Sequence, residues 1–150
     1  MPQSLAKNYI HLVFSTKNRE PLILSSVRIQ LHSYLGGILN NLDSQVIKTG
    51  GTGDHIHTIF RLSKNFALAK IVEEVKTNSS KWIKTQGNAF ANFYWQSGYA
   101  GFSVSAGDAD RVVDYIERQE EHHRVVSFQD EYRKLLQDYG IAFDERYVWD

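Results

Sequence analysis

Apolar and polar positions alternate over residues 9–15, with Ile10, Leu12 and Phe14 on one side and His11, Val13 and Ser15 on the other. That period of two predicts a strand. Lys17-Asn18-Arg19-Glu20-Pro21 follows as a polar loop whose exit Pro21 fixes. From Ser25 or Ser26 the period becomes helical, and Val27, Leu31, Tyr34, Leu35, Ile38 and Leu42 make one stripe. Gly36 and Gly37 sit inside that helix at a cost of up to about 1 kcal/mol each, which points to close packing against a sheet. Strand patterns return at residues 45–49 and 54–62, and the glycines between them suit a tight turn. A second helix is predicted over about 66–85, with Leu68, Ile71, Val72, Val75, Ser79 and Trp82 or Ile83 inward. A loop over 86–92 leads to a fourth strand within 93–105, where Trp95 and Tyr99 are either core aromatics or stacking platforms for bases.

Two segments have the form of capping boxes. Ser105-Ala-Gly-Asp108 opens a third helix over 108–123 with Val112, Val113 and Ile116 as its core positions. Ser127-Phe-Gln-Asp130 opens a fourth, whose apolar face is Phe128, Tyr132, Leu135, Leu136 and Tyr139 and which Gly140 stops. The order β-α-β-β-α-β followed by helices is that of an α+β, ferredoxin-like split βαβ sandwich. Two helices would then cover one face of an antiparallel sheet and leave the other face, or its edge, for a site or a partner. Residues 1–150 read as one domain, with C-terminal helices at about 106–140. The 141–150 tail carries Phe143, Tyr147 and Trp149 and is expected to dock.

Composition narrows the classes without choosing among them. The apolar fraction of 42% suits a folded domain and excludes a disordered tail. Seventeen basic against seventeen acidic residues exclude a broad polycationic surface but leave room for a local basic strip. The absence of cysteine excludes disulfides and thiolate metal sites. No stretch approaches the roughly 20 apolar residues of a membrane span, so a cytoplasmic protein with no membrane partner is expected.

The chemistry concentrates in two places. In Asp54-His55-Ile56-His57 the histidines are two apart on a strand, so both imidazoles project from one face and make half of a divalent-metal site. On spacing alone they are equally two residues of a solvated strand face. Tyr115 and Gln119 lie one helical turn apart at the margin of the third helix's apolar face, with Arg118 and His122 along the same flank and Arg111 a turn earlier. Guanidinium groups bind phosphate oxygens, and a phenol can serve as a nucleophile where a base or local charge helps remove its proton.

Taken together, His55-Ile56-His57 preceded by Asp54, and Tyr115-Ile-Glu-Arg-Gln119 on a later helix, resemble the two motifs of the single-tyrosine HUH transposases of the insertion sequence 200/605 type, the IS200-like transposase family. Either motif alone is weak; both, in this order on a split βαβ pattern spanning nearly the whole chain, are specific. The resemblance implies a DNA strand transferase that cleaves and rejoins single-stranded DNA with hairpin ends. His55, His57 and Gln119 would hold Mg²⁺ or Mn²⁺, and Tyr115 would form a 5′-phosphotyrosine. Asp54, Arg118 and His122 would support the ligands or the phosphate. It also implies a homodimer in which the histidine pair of one subunit meets the tyrosine helix of the other. Lys76, Lys81 and Lys84 on the second helix, with Lys17 and Arg19, are candidates for tracking phosphates; a solvated lysine face looks the same in sequence. Three alternatives stay open: a domesticated repeat-associated nickase of the same chemistry, a hydrolase that uses water, and a non-catalytic ferredoxin-like nucleic-acid-binding module.

Overall fold

The computed structural model describes residues 2–150. Strands β1 (Asn8–Ser15), β2 (Val46–Gly51), β3 (His55–Leu62) and β4 (Ala100–Val104) form one sheet in the order β2-β3-β1-β4, every neighbouring pair antiparallel. Helices α1 (Ser25–Asn41) and α2 (Leu68–Lys84) make the two crossovers, so the architecture is the split βαβ that the periodicity predicts. Leu12 and Phe14 of β1 with Ile56 and Phe60 of β3 face both helices. There they meet Leu31, Leu35 and Leu39 of α1 and Ile71, Val75 and Ile83 of α2 in one core. Among the described residues no helix is long and apolar enough to cross a membrane.

The opposite face of the sheet is covered too. Helices α3 (Ala109–Glu117), α4 (Gln119–His122) and α5 (Phe128–Asp138) follow β4. Phe128, Tyr132 and Leu136 of α5 pack on Val13, Ala100 and Phe102, and Ile116 of α3 packs with Ile59 and Val104. The sheet is thus the middle of three layers, which is why β3 is buried without a break from His55 to Phe60. An alternating pattern tells that two faces differ in polarity; it cannot tell that the polar one is roofed.

Local sequence accounts for several departures from the expected boundaries. The Gly50 and Gly51 expected in a turn belong to β2, paired with His57 and Ile56, and the connection is 52–54 instead. A Cβ on Gly50 would lie 2.7 Å from the carbonyl oxygen of Ile116 and 2.8 Å from its Cγ2, so the missing side chain is what lets α3 lie against β2. Gly50→Ala should therefore cost about 1–3 kcal/mol by overpacking and lower the melting temperature by roughly 2–4 °C per kcal/mol; an unshifted thermal unfolding curve would show that α3 is not seated there. Gly36 likewise faces Val46 closely, whereas Gly37 faces open space. The fourth strand is only Ala100–Val104, with Trp95 reached by an isolated bridge to Thr16. Trp95 is a core residue donating its indole N–H to Ser79.

The expected single helix over 108–123 is broken at Arg118, where φ is −95° and ψ 16°. The two capping boxes also behave differently. Ser127 Oγ accepts from the Asp130 N–H at 3.1 Å and starts α5, but Ser105 Oγ donates instead to the Asp108 carboxylate at 2.9 Å, and a short 3-10 turn precedes α3. The C-terminal tail lies against the body, with the Gly98 N–H donating to the Asp150 carbonyl at 2.8 Å and Trp149 edge-on to Tyr132.

Candidate active site

The site lies between the sheet and its second roof. His55 and His57 project from β3, and His11 joins them from β1 because Val13 pairs with His57 and places His11 two residues along on the same face. From the roof come Tyr115 of α3, Gln119 and His122 of α4, His123 just beyond it, and Glu131 of α5. One ligand atom from each of His55, His57, His123 and Glu131 falls within 4.8 Å of the others. Gln119, 1% exposed, closes the cluster.

The hydrogen bonds fix the sense of two of the imidazoles. His55 Nδ1 is 2.7 Å from the Asp54 carboxylate, and His123 Nδ1 is 2.7 Å from the Val126 carbonyl. Both partners are acceptors only, so both Nδ1 atoms carry the proton and donate. The two Nε2 atoms then point inward at oxygens. His55 Nε2 lies 2.9 Å from Gln119 Oε1, and His123 Nε2 lies 3.0 Å from Gln119 Oε1 and 3.0 Å from Glu131 Oε1. His57 Nε2 is 3.0 Å from Glu131 Oε1, and its Nδ1 is 2.8 Å from His11 Nε2. A neutral His57 satisfies both its contacts by donating from Nε2 and accepting at Nδ1, but in neutral His55 and His123 the Nε2 lone pairs would face lone pairs on oxygen. Only extra protons or a cation reconcile that arrangement, and a set of imidazole, carboxylate and amide-oxygen donors is chemistry that divalent transition-metal ions accept. The residues present therefore fit a divalent ion. Asp54 behind His55 and His11 behind His57 would orient those ligands, as outer partners of metal-binding histidines do.

Charge in the cluster is held by one carboxylate. Burial by itself would raise the Glu131 pKa, but hydrogen bonds from His123 and His57 outweigh it, so the carboxyl stays ionised far below the usual carboxylate range. Gln119 Nε2 donates to it at 3.0 Å, and the Tyr115 hydroxyl donates to the same oxygen. Burial, and then the Glu131 charge, push the Tyr115 phenol well above its ordinary value. Burial holds His57 below its ordinary value and, with the neighbouring His57, lowers His11 to about 3. His123 goes the other way: burial opposes its charge, but the bond to Glu131 raises it.

Tyr115 stands at the boundary of this interior. Its ring centroid is 5.7 Å from that of His57, and its outer side lines an open cleft of about 530 Å³ with Arg111, Asp114, Arg118, Glu121 and His122. Arg118 and His122 thus sit where the sequence places them, beside the tyrosine, and His122 Nε2 also reaches within 3.4 Å of Glu131. Tyr115, His55, His57 and Gln119 converge on Glu131 within the one chain.

The expected phosphate-tracking residues do not form one row. The Lys76 ammonium is turned inward, donating to the carbonyls of Gln96, Ser97 and Gly98 at 2.7, 3.2 and 2.6 Å. It clamps a loop and is not a solvent-facing cation. Arg19 lies over Trp149 and donates to its carbonyl at 3.5 Å. Lys81 is exposed on α2, while Lys17 and Lys84 both approach the ring of Tyr94. Sequence reasoning missed Glu131, His123 and His11. For Glu131 a signal existed: it is the one charged position inside the Phe128, Tyr132, Leu135 stripe of α5, and a charge in an apolar stripe asks for a buried partner.

No curated protein is similar enough to count as a relative. Among solved structures, a protein of Deinococcus radiodurans R1 assigned as a transposase superposes with a TM-score of 0.61 at 19% identity, covering 79% of this chain and 98% of that one. A REP-associated tyrosine transposase bound to a REP hairpin superposes with a TM-score of 0.61 at 16% identity, over 84% of this chain and 74% of that one. At such identities the likeness is one of fold. The family model described as "Transposase IS200 like" matches residues 4–119, which take in the sheet, both histidines of β3, Tyr115 and Gln119. The chain belongs to the IS200-like transposase family.

Proposed function

We propose that this transposase cleaves and rejoins single-stranded DNA at hairpin-bearing ends through a covalent 5′-phosphotyrosine on Tyr115. The observation that carries the reading is the position of that hydroxyl, between an arginine-lined cleft and a buried cluster of imidazoles and carboxylate. In the cleft, Arg111 and Arg118 would bind the scissile phosphate's oxygens. Tyr115 Oη attacks phosphorus as the P–O3′ bond breaks. Glu131 accepts the phenol's hydrogen bond and so orients the hydroxyl; the phenol's proton is lost to solvent in the open cleft, and the departing 3′ oxygen takes a proton from the same solvent. Phosphodiester energy is kept in the tyrosyl ester, so a second 3′-hydroxyl can reverse the step and join new ends without a nucleotide cofactor.

His55, His57, His123, Glu131 and the Gln119 amide oxygen would hold a divalent ion. When bound it would supply positive charge to the phosphate and leaving oxygen and offset the Glu131 charge that opposes a phenolate. Donors this rich in imidazole suit Mn²⁺ better than Mg²⁺.

The test is a covalent adduct. Incubation with Mn²⁺ and a hairpin-bearing single strand should yield protein–DNA conjugate, its mass located on the peptide containing Tyr115. Cleavage with no attached protein would favour a hydrolase, and binding without cleavage a non-catalytic module. A mixture of His57→Ala and Tyr115→Phe proteins addresses the subunit arrangement. If the proposed homodimer carries two self-contained sites, the mixture stays inactive; recovery of adduct would mean that subunits exchange tyrosine helices.

A further inference from the structure

The segment 93–95 alternates a buried, an exposed and a buried aromatic. Phe93 and Trp95 enter the core on either side of Tyr94, which is 55% exposed. Its backbone is pinned, because the Lys17 N–H donates to the Tyr94 carbonyl at 2.8 Å. Two ammonium groups from different parts of the chain stand by the ring. Lys84, the last residue of α2, lies 4.4 Å from the centroid, and Lys17, in the turn after β1, lies 6.0 Å away. Among the described residues neither lysine is paired with a carboxylate. An anchored, exposed aromatic ring with two uncompensated cations over it is an arrangement that binds unpaired nucleotides, the flexible ammonium groups swinging from the ring to the phosphates as a base stacks in their place.

Position adds to the chemistry. The Thr16 N–H, next to Lys17, donates to the Asp54 carbonyl at 2.8 Å, and Asp54 holds His55. The platform therefore hangs from the same end of the sheet as the candidate metal cluster. We infer that Tyr94, Lys17 and Lys84 form a stacking subsite for the unpaired DNA strand running to or from the cleaved phosphodiester. The inference rests on the strand-transfer reading and places the strand at Tyr94, which the sequence did not mark, beside two of the lysines that it did.

The test uses the full chain and a fluorescein-labelled oligothymidine of about ten nucleotides, with binding followed by anisotropy. Tyr94→Ala should weaken binding by about 5- to 100-fold and Tyr94→Phe by less than about 2-fold, since stacking needs the ring and not the hydroxyl. Lys17→Gln with Lys84→Gln should lower the slope of log affinity against log salt by about 1.4, or about 0.7 for each phosphate that is no longer neutralised. Tyr147→Ala serves as control: that ring is 64% exposed with Arg146 beside it, and its removal should leave affinity unchanged. Wild-type binding that Tyr94→Ala does not reduce overturns the subsite alone. A wild type that binds no oligothymidine likewise overturns the subsite, whereas failure to form the covalent adduct with a hairpin-bearing strand overturns the functional reading beneath it.

Discussion

Tyr115→Phe is expected to reduce covalent capture of cleaved DNA by at least about 10³-fold, the scale on which removing an attacking group is felt. The substitution removes one oxygen and leaves the ring where it packs, 5.7 Å from His57 and 6.1 Å from His11 between centroids. It deletes one of the hydrogen bonds to Glu131 but keeps those from His57, His123 and Gln119. The expected loss of stability is accordingly about 1–2 kcal/mol, far too little to unfold the domain. Hairpin binding should survive. A Tyr115→Phe protein that still becomes linked to DNA would mean that another nucleophile is at work, and one that loses binding as well would place Tyr115 in recognition instead of chemistry.

The sequence carried most of the scaffold because its periodicities are local. Strand β1 and helices α1 and α2 could be read from Leu12, Leu31 and Val75 and their neighbours, since each sets a regular apolar stripe into the core between the sheet and the two helices. His55, His57, Tyr115 and Gln119 were legible for a different reason: short spacings put the histidines on one face of β3 and kept Gln119 close to Tyr115 even across the break at Arg118. Glu131 and His11 were not, because each reaches the cluster from an element of its own, and His123 was not, because it lies just past the end of α4; only the fold brings these together. The second roof was hidden in the same way. Val13 and Phe102 look like ordinary strand residues until Phe128, Tyr132 and Leu136 cover them. Lys76 shows the converse error, in which correct helical spacing suggested a free cation that tertiary contacts consume.

Glu131→Ala should be the most destabilising single change in the site. It strips the acceptor from four side chains, His57, His123, Gln119 and Tyr115, and leaves His123 without the carboxylate that favours its charge. Breaking a buried pair from one side costs about 3–5 kcal/mol, a fall in melting temperature of roughly 6–20 °C at 2–4 °C per kcal/mol. The pH dependence has a definite sign. The folded carboxyl lies below its ordinary value of 4.5, so this contribution is fully present above that value and drains away as acid protonates the unfolded chain first. Wild type should therefore lose its advantage over the alanine variant as pH falls below 4.5, and the two unfolding curves should approach each other. Divalent-ion titration separates this charge balance from ligation. Mn²⁺ should raise the melting temperature of wild type, releasing protons on binding because its imidazole donors must be neutral, and should raise that of Glu131→Ala much less. An equal Mn²⁺ shift in both proteins would remove Glu131 from the ligand set while leaving its structural role intact.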